Sequence, residues 1–183
     1  MERNSTDKKQ LILIFSCLIG TFLISWLVRV QPDITYALGD VNAYATLGDA
    51  CIYASVLLLG VPWGVIVSAA GAALADLAAG SKLFIIGSLL TKSLMALFVA
   101  AFAAQCDNWK RSFAVAGVTE AIMVIGFFIY DLLIVREFRI IGFVFLLQLA
   151  QGIVCCAVGA VILRYLPPMD PRTLLKVRRS REE

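Results

Sequence analysis

Residues 68–80 read SAAGAALADLAAG, and one aspartate, Asp76, stands inside a run of alanine, glycine and leucine. Small residues let a helix approach its neighbours closely, which is the way helices associate in lipid. A carboxylate in that setting is costly unless it faces the bundle interior or a cavity, with polar company. The stretch therefore predicts a membrane helix carrying an inward-facing acid.

The rest of the chain agrees with this reading. Hydrophobic residues make up 61% of the 183 and charged residues 16%, against about half and about a quarter in soluble domains, so the chain belongs in a bilayer. Each crossing needs about 20 apolar residues, which allows about six crossings and leaves no soluble catalytic domain. Apolar runs fall near residues 11–28, 47–59, 63–79, 83–104, 113–135 and 140–163. The expected fold is all-α, a polytopic membrane protein of six transmembrane helices forming a single integral membrane domain over residues 1–183. The tight turn Gly60, Val61, Pro62 joins the second and third helices as a hairpin, with proline at a first-turn position where its missing N–H costs little.

Basic residues set the expected orientation. Arg3, Lys8, Lys9, Lys110, Arg111 and Arg164, with the tail residues Arg172, Lys176, Arg178, Arg179 and Arg181, fall on one side of this scheme. They outnumber Arg29, Lys82, Arg136 and Arg139 on the other, so both termini are expected in the cytoplasm. The first apolar run reads as a retained anchor, being too long for a usual signal core and lacking a small-x-small cleavage site before Arg29. The basic tail fits the same anchoring, and no nucleic-acid partner is expected, because the net charge is only +3 and no aromatic-basic module is present.

Several chemistries are excluded as expectations. The chain has no histidine, and its five cysteines include no C-x-x-C pair, which argues against a zinc site and against Ser-His or Cys-His nucleophiles. No G-x-x-x-x-G-K-[ST] phosphate loop occurs. No catalytic residue, metal or cofactor is therefore expected, and any nucleotide hydrolysis would belong to a separate subunit.

The informative residues are the polar ones within the helices: Asp76, Lys92, Glu120, Asp131, Gln148 and Gln151. A rise of about 1.5 Å per residue sorts them by depth. Asp49 and Asp76 form an expected outer acidic rim, while Lys92, Glu120, Gln148 and Gln151 form a central group. In one reading Lys92 pairs with Glu120 or Asp76 and the glutamines tie helices together, at about 1 kcal/mol per hydrogen bond. In the other these groups line a pocket open to the outside for a small polar molecule. A lone buried ion pair is a poor stability device, so several such groups at compatible depths favour the pocket. The first outer segment, Arg29 to Asp49, contains Pro32, Gly39, Gly48, Tyr36 and Tyr44 and is long enough to be a lid or binding loop.

Three stretches in order carry a family resemblance: YATLGDACIYASVLLLGVPWGVIVSAAGAALADLAAGSKLFIIGSLLTKSLMALFVA (44–100), TEAIMVIGFFIYDLLI (119–134) and LQLAQGIVCCAVGAVI (147–162). With LGDA, ALADL and TKSLM in succession, the region from Thr46 to Ile162 resembles the substrate-binding membrane subunits (S components) of energy-coupling factor (ECF) transporters. It is similar in particular to the branch of riboflavin, hydroxymethylpyrimidine and pyridoxine-type carriers. The resemblance implies a six-helix subunit that captures a water-soluble vitamin or precursor from outside. Its partners would be a transmembrane coupling protein and two cytoplasmic ATPase subunits. It also implies a docking face on the first helix, where Ser16 and Gly20 stand in place of the alanines many relatives carry. Gln148 replaces a common asparagine, and Lys92, Ser93, Leu94, Met95, Ala96 replace a common Lys-Gly-Leu-Glu-Gly, which leaves the ligand open. Tyr44, Tyr53, Lys92, Glu120, Gln148 and Gln151 are the expected ligand contacts, since flat heterocycles are held by stacking and oriented by a few polar groups. Asp49 and Asp76 are expected at the rim. An ion-coupled carrier using Glu120 and Asp131, or a scaffold without ligand, are the competing expectations; the carrier lacks the internal repeat such proteins often show.

Overall fold

The computed structural model describes residues 3–30, 44–134 and 138–168. Pro32, Tyr36 and Gly39 of the first outer segment, Arg136, and the basic tail from Arg172 onward lie outside them. Six α-helices follow one another: α1 (Arg3–Leu27), α2 (Gly48–Leu59), α3 (Trp63–Ala78), α4 (Ile85–Phe102), α5 (Trp109–Ile134) and α6 (Phe138–Tyr165). Two short strands between α1 and α2, β1 (Arg29–Val30) and β2 (Ala45–Thr46), pair antiparallel with Arg29 opposite Thr46.

Side-chain and ring contacts order the helices along the bundle. The β1–β2 pair fixes the end of α1 beside the start of α2. Tyr44, just before β2, bonds to Asp76 near the end of α3, and Tyr130 near the end of α5 bonds to the Leu83 carbonyl before α4. These junctions form one end of the bundle, the loop end. At the opposite end Trp109, which starts α5, packs edge-on against Tyr165, which ends α6, at 5.7 Å between centroids. The helices thus alternate in direction, and the start of α1 and the end of α6 share the end away from the loops.

Four stretches are long and apolar enough to cross a membrane: Lys8–Leu27, Lys82–Gln105, Trp109–Ile134 and Ile140–Tyr165. The hairpin helices α2 and α3 have only 12 and 16 residues, about 18 and 24 Å at 1.5 Å per residue. They fall short of about 30 Å of hydrocarbon; α2 is enclosed by the other helices, while α3 keeps one exposed apolar face with Trp63, Ile66, Leu74 and Leu77. Ile52, Tyr53 and Val56 of α2 are fully enclosed, as are Met95, Ala96 and Val99 of α4 and Met123 of α5. Lipid-facing positions such as Ile12, Ile86, Leu133 and Ile153 are apolar and exposed.

Helix limits differ from the apolar runs where a terminal turn is polar. Helix α5 begins at Trp109 rather than near residue 113 because Asn108 caps it, its Oδ1 accepting from the Arg111 N–H at 3.0 Å. A side-chain acceptor at that place satisfies a donor the helix leaves open. Helix α3 ends in a backbone cap: the Ser81 N–H donates to the Asp76 carbonyl at 2.8 Å and the Gly80 N–H to the Leu77 carbonyl at 3.2 Å. This pattern needs a left-handed residue after the helix, and Gly80 supplies it with φ 76°. The Asp76 carboxylate is thereby left free to turn inward. Pro62 precedes α3 across a cis peptide bond to Val61, one residue before the first-turn position the sequence implied.

Close helix packing gives a direct test. A Cβ at Gly71 would lie 2.8 Å from Thr21 Cβ across the α1–α3 contact, while nothing lies within 4 Å of one at Gly20. Gly71→Val is expected to destabilise the detergent-solubilised protein by about 1–3 kcal/mol through overpacking. Gly20→Ala is expected to stay within about 0.5 kcal/mol of the parent in the same thermal unfolding assay.

Candidate functional site: a polar cavity at the loop end

All six helices contribute to a cavity of about 50 Å³ toward the loop end. At roughly 10–15 Å³ of such space per water, it has room for a few water molecules. Helix α1 supplies Thr21 and Ser25, and the segment through β2 into α2 supplies Tyr44, Thr46, Gly48, Asp49 and Ile52. Ala72 and Asp76 come from α3, Ser88 and Lys92 from α4 with Phe84 just before it, Met123 and Phe127 from α5, and Val144, Gln148 and Gln151 from α6. Within each helix these positions recur three or four apart, the spacing that keeps side chains on one face.

Asp49 stands at the centre. One carboxylate oxygen accepts from Lys92 Nζ at 2.5 Å, and the other from Gln151 Nε2 at 2.6 Å. Asp49 lies in the first turn of α2, where the free N–H groups and the helix dipole favour negative charge. The carbonyl of the same Gln151 amide accepts from the Thr46 N–H at 2.8 Å. Thr46 Oγ1 donates to the Ser25 carbonyl at 3.1 Å and accepts from the Gly48 N–H at 3.1 Å. One chain of bonds thus joins α4, α2, α6, β2 and the end of α1. Lys92 Nζ also lies 5.3 Å from the centre of the Phe127 ring, within reach of a cation–π contact.

At the mouth, the Tyr44 hydroxyl donates to Asp76 Oδ1 at 2.5 Å, and the Arg29 guanidinium lies 5.9 Å from the Tyr44 ring centre. Burial first, then the neighbouring Asp76 charge, pushes the Tyr44 phenol well above its ordinary range. Tyr44 therefore stays protonated and fastens the segment before β2 to α3. On the opposite wall Gln148 Nε2 donates to Asp131 Oδ2 at 3.4 Å.

Of the expected contacts, Tyr44, Lys92, Gln148 and Gln151 line the cavity. Tyr53 and Glu120 do not. They pair with each other at 2.7 Å, one turn deeper along α5 than Met123, and the Tyr53 ring occupies the space that a Cβ at Gly159 would need. Lys92 takes Asp49 as its partner rather than Glu120 or Asp76, because α2 enters the bundle with its first turn facing α4. For the same reason Asp49 is a central group and not a rim group. Asp76 is buried, lines the cavity and is tied to Tyr44 just before β2. Ser16 is exposed on α1, and Gly20 has open space beside it. The cavity also uses Thr21, Ser25, Thr46, Ser88, Phe84 and Phe127, which composition did not single out. For two of them the signal was register: Phe127 lies seven positions after Glu120, and Ser88 four before Lys92, so each shares a face with a residue already noticed.

Six helices around an internal polar cavity define a multi-pass α-helical membrane protein. Residues 11–167 match the family described as ECF-type riboflavin transporter, S component, and the chain belongs to that family. Comparisons with curated proteins and with solved structures gave no match. The family is one of transporter subunits rather than enzymes, concerned with vitamin uptake through the ECF system.

The central ion pair can be tested by stability. Asp49→Ala leaves the Lys92 ammonium buried without its carboxylate, a loss of about 3–5 kcal/mol for such a pair. Asp49→Ala combined with Lys92→Met is expected to recover most of that loss in thermal unfolding, because the unpaired charge is gone.

Proposed function

We propose that this chain is the substrate-specific subunit of an ATP-driven ECF transporter and that the cavity at the loop end captures a flat, water-soluble vitamin. The observation that carries the reading is the composition of the cavity wall in a chain of this family. Phe84 and Phe127 offer apolar faces, Lys92 a cation held by Asp49, and Gln148 an amide, on elements fixed by the Asp49–Gln151–Thr46 network. Apolar walls with a few placed polar groups are what such ligands require, and seating a vitamin where a few waters now fit requires the wall at Tyr44 and Asp76 to move outward. Riboflavin, which the family's description names, is the first ligand to test.

Residue roles follow from this geometry. Phe84 and Phe127 flank a ring system, Lys92 attracts an electron-rich edge, and Gln148 contacts the ligand. Gln151 has both ends of its amide engaged, so it acts by holding Asp49 and Thr46 in place. Tyr44 and Asp76 govern the mouth. Tyr53 and Glu120 support the wall from beneath.

The loop end faces outward and both termini lie in the cytoplasm of a prokaryotic-type cell, with residues 1–183 forming one integral domain in the cell membrane. The face of α1 that carries exposed Ser16 and half-buried Gly20 meets a transmembrane coupling protein, which two cytoplasmic ATPases drive. Glu120 and Asp131 do not favour an ion-coupled carrier, since they hold different partners, Tyr53 and Gln148, about three turns apart on α5.

Binding and transport separate in two variants. Lys92→Met is expected to weaken riboflavin binding by about tenfold or more, which is about 1.4 kcal/mol, as read by quenching of flavin fluorescence with the purified protein. Gly20→Glu is expected to bind riboflavin normally and to fail in uptake when co-expressed with a coupling protein and ATPases. Unchanged affinity in the first variant rejects the site, and normal uptake by the second rejects the docking face.

A further inference from the structure

We propose that Asp131 is a positioning residue that turns the amide of Gln148 so that its carbonyl oxygen faces the cavity as an acceptor for a ring N–H of the ligand. The inference rests on the reading of the cavity as a vitamin site. It adds what part of the ligand is read, and by which residues.

The hydrogen-bonding groups of the wall are mostly spent on each other. Asp49 accepts at both oxygens, Gln151 donates and accepts, and the Tyr44 hydroxyl donates to Asp76. Gln148 differs. Its residue is 7% exposed, it lines the cavity, and its Oε1 is buried with no hydrogen-bond partner among the described residues. A buried carbonyl left unmet is unfavourable until something donates to it.

The orientation of that amide follows from Asp131. An ionised carboxylate only accepts, so the Gln148 NH2 group turns toward it, and the reverse orientation would set two oxygens against each other. Asp131 is 1% exposed and receives Gln148 Nε2 at Oδ2. Helix direction brings the two together. Side chains lean toward the N-terminus of their own helix; α5 runs toward the loop end and α6 away from it, so Asp131 leans inward and Gln148 leans outward.

The ligand class this selects is a heterocycle with a lactam or imide N–H. The pyrimidinedione ring of a flavin carries one such N–H between two carbonyls. A methyl group on that nitrogen removes the donor and leaves the rest of the molecule intact.

The test compares riboflavin with 3-methylriboflavin on the full-length protein in detergent. The parent is expected to prefer riboflavin by about tenfold or more, the effect of one hydrogen bond at its upper net value. Asp131→Asn, which gives the amide a donor to turn toward, is expected to reduce that preference to a few-fold or less. Asp131→Leu, which removes the acceptor without adding a donor, serves if the asparagine variant does not fold. Gln148→Met is expected to reduce the preference equally, with no further fall in the double variant. A merely structural Asp131 would lower stability or both affinities and leave their ratio alone. An unchanged ratio in both Asp131 variants, or equal affinities in the parent, overturns this inference and leaves the vitamin site standing. Binding of neither flavin by the parent overturns both.

Discussion

The structure depends on one buried carboxylate. Asp49 receives the Lys92 ammonium on one oxygen and the Gln151 amide on the other, at the first turn of a helix whose open N–H groups already favour negative charge. In an apolar surrounding none of these groups is tolerable alone. Each fixes its neighbour, and the positions of α2, α4 and α6 follow. Gln151 extends the constraint to Thr46, and Thr46 to the end of α1, so the first outer segment returns to the bundle at one defined place.

The short hairpin makes this arrangement possible. Were α2 and α3 full-length spans, the start of α2 would lie at the membrane surface and Asp49 in water. With 12 and 16 residues, they are short of a full span, and the first turn of α2 and the last turn of α3 bring Asp49 and Asp76 to the cavity. Small residues draw α3 against α1, and the Gly80 cap closes α3 with backbone bonds alone, leaving the Asp76 side chain for Tyr44. The carboxylate in the alanine run thus fastens the first loop to the helix over which it passes. The cavity lies where these constraints meet.

Much of this was legible in the sequence. Six helices, the α2–α3 hairpin and the polar set of Asp49, Asp76, Lys92, Gln148 and Gln151 all follow from hydropathy and from the cost of polar groups in lipid. The pairing was not legible, because depth along a helix says nothing of azimuth. Lys92 and Glu120 reach similar depths, yet Glu120 meets Tyr53 and Lys92 meets Asp49. Thr46 also escaped notice, since its contribution is largely a backbone N–H placed by a turn, which side-chain chemistry does not reveal. Phe84 and Phe127 were hidden by abundance among eleven phenylalanines, and only helical register marks them as cavity residues.

The central claim is that this chain, without its partners, holds a vitamin in the cavity around Asp49 and Lys92. The most direct measurement is mass spectrometry of small molecules released on denaturing the protein after mild purification from cells grown in rich medium. The account predicts one flavin or related heterocycle per chain, lost from Lys92→Met protein that remains folded. Protein that releases no such compound, even after incubation with riboflavin and the other water-soluble vitamins, would contradict it.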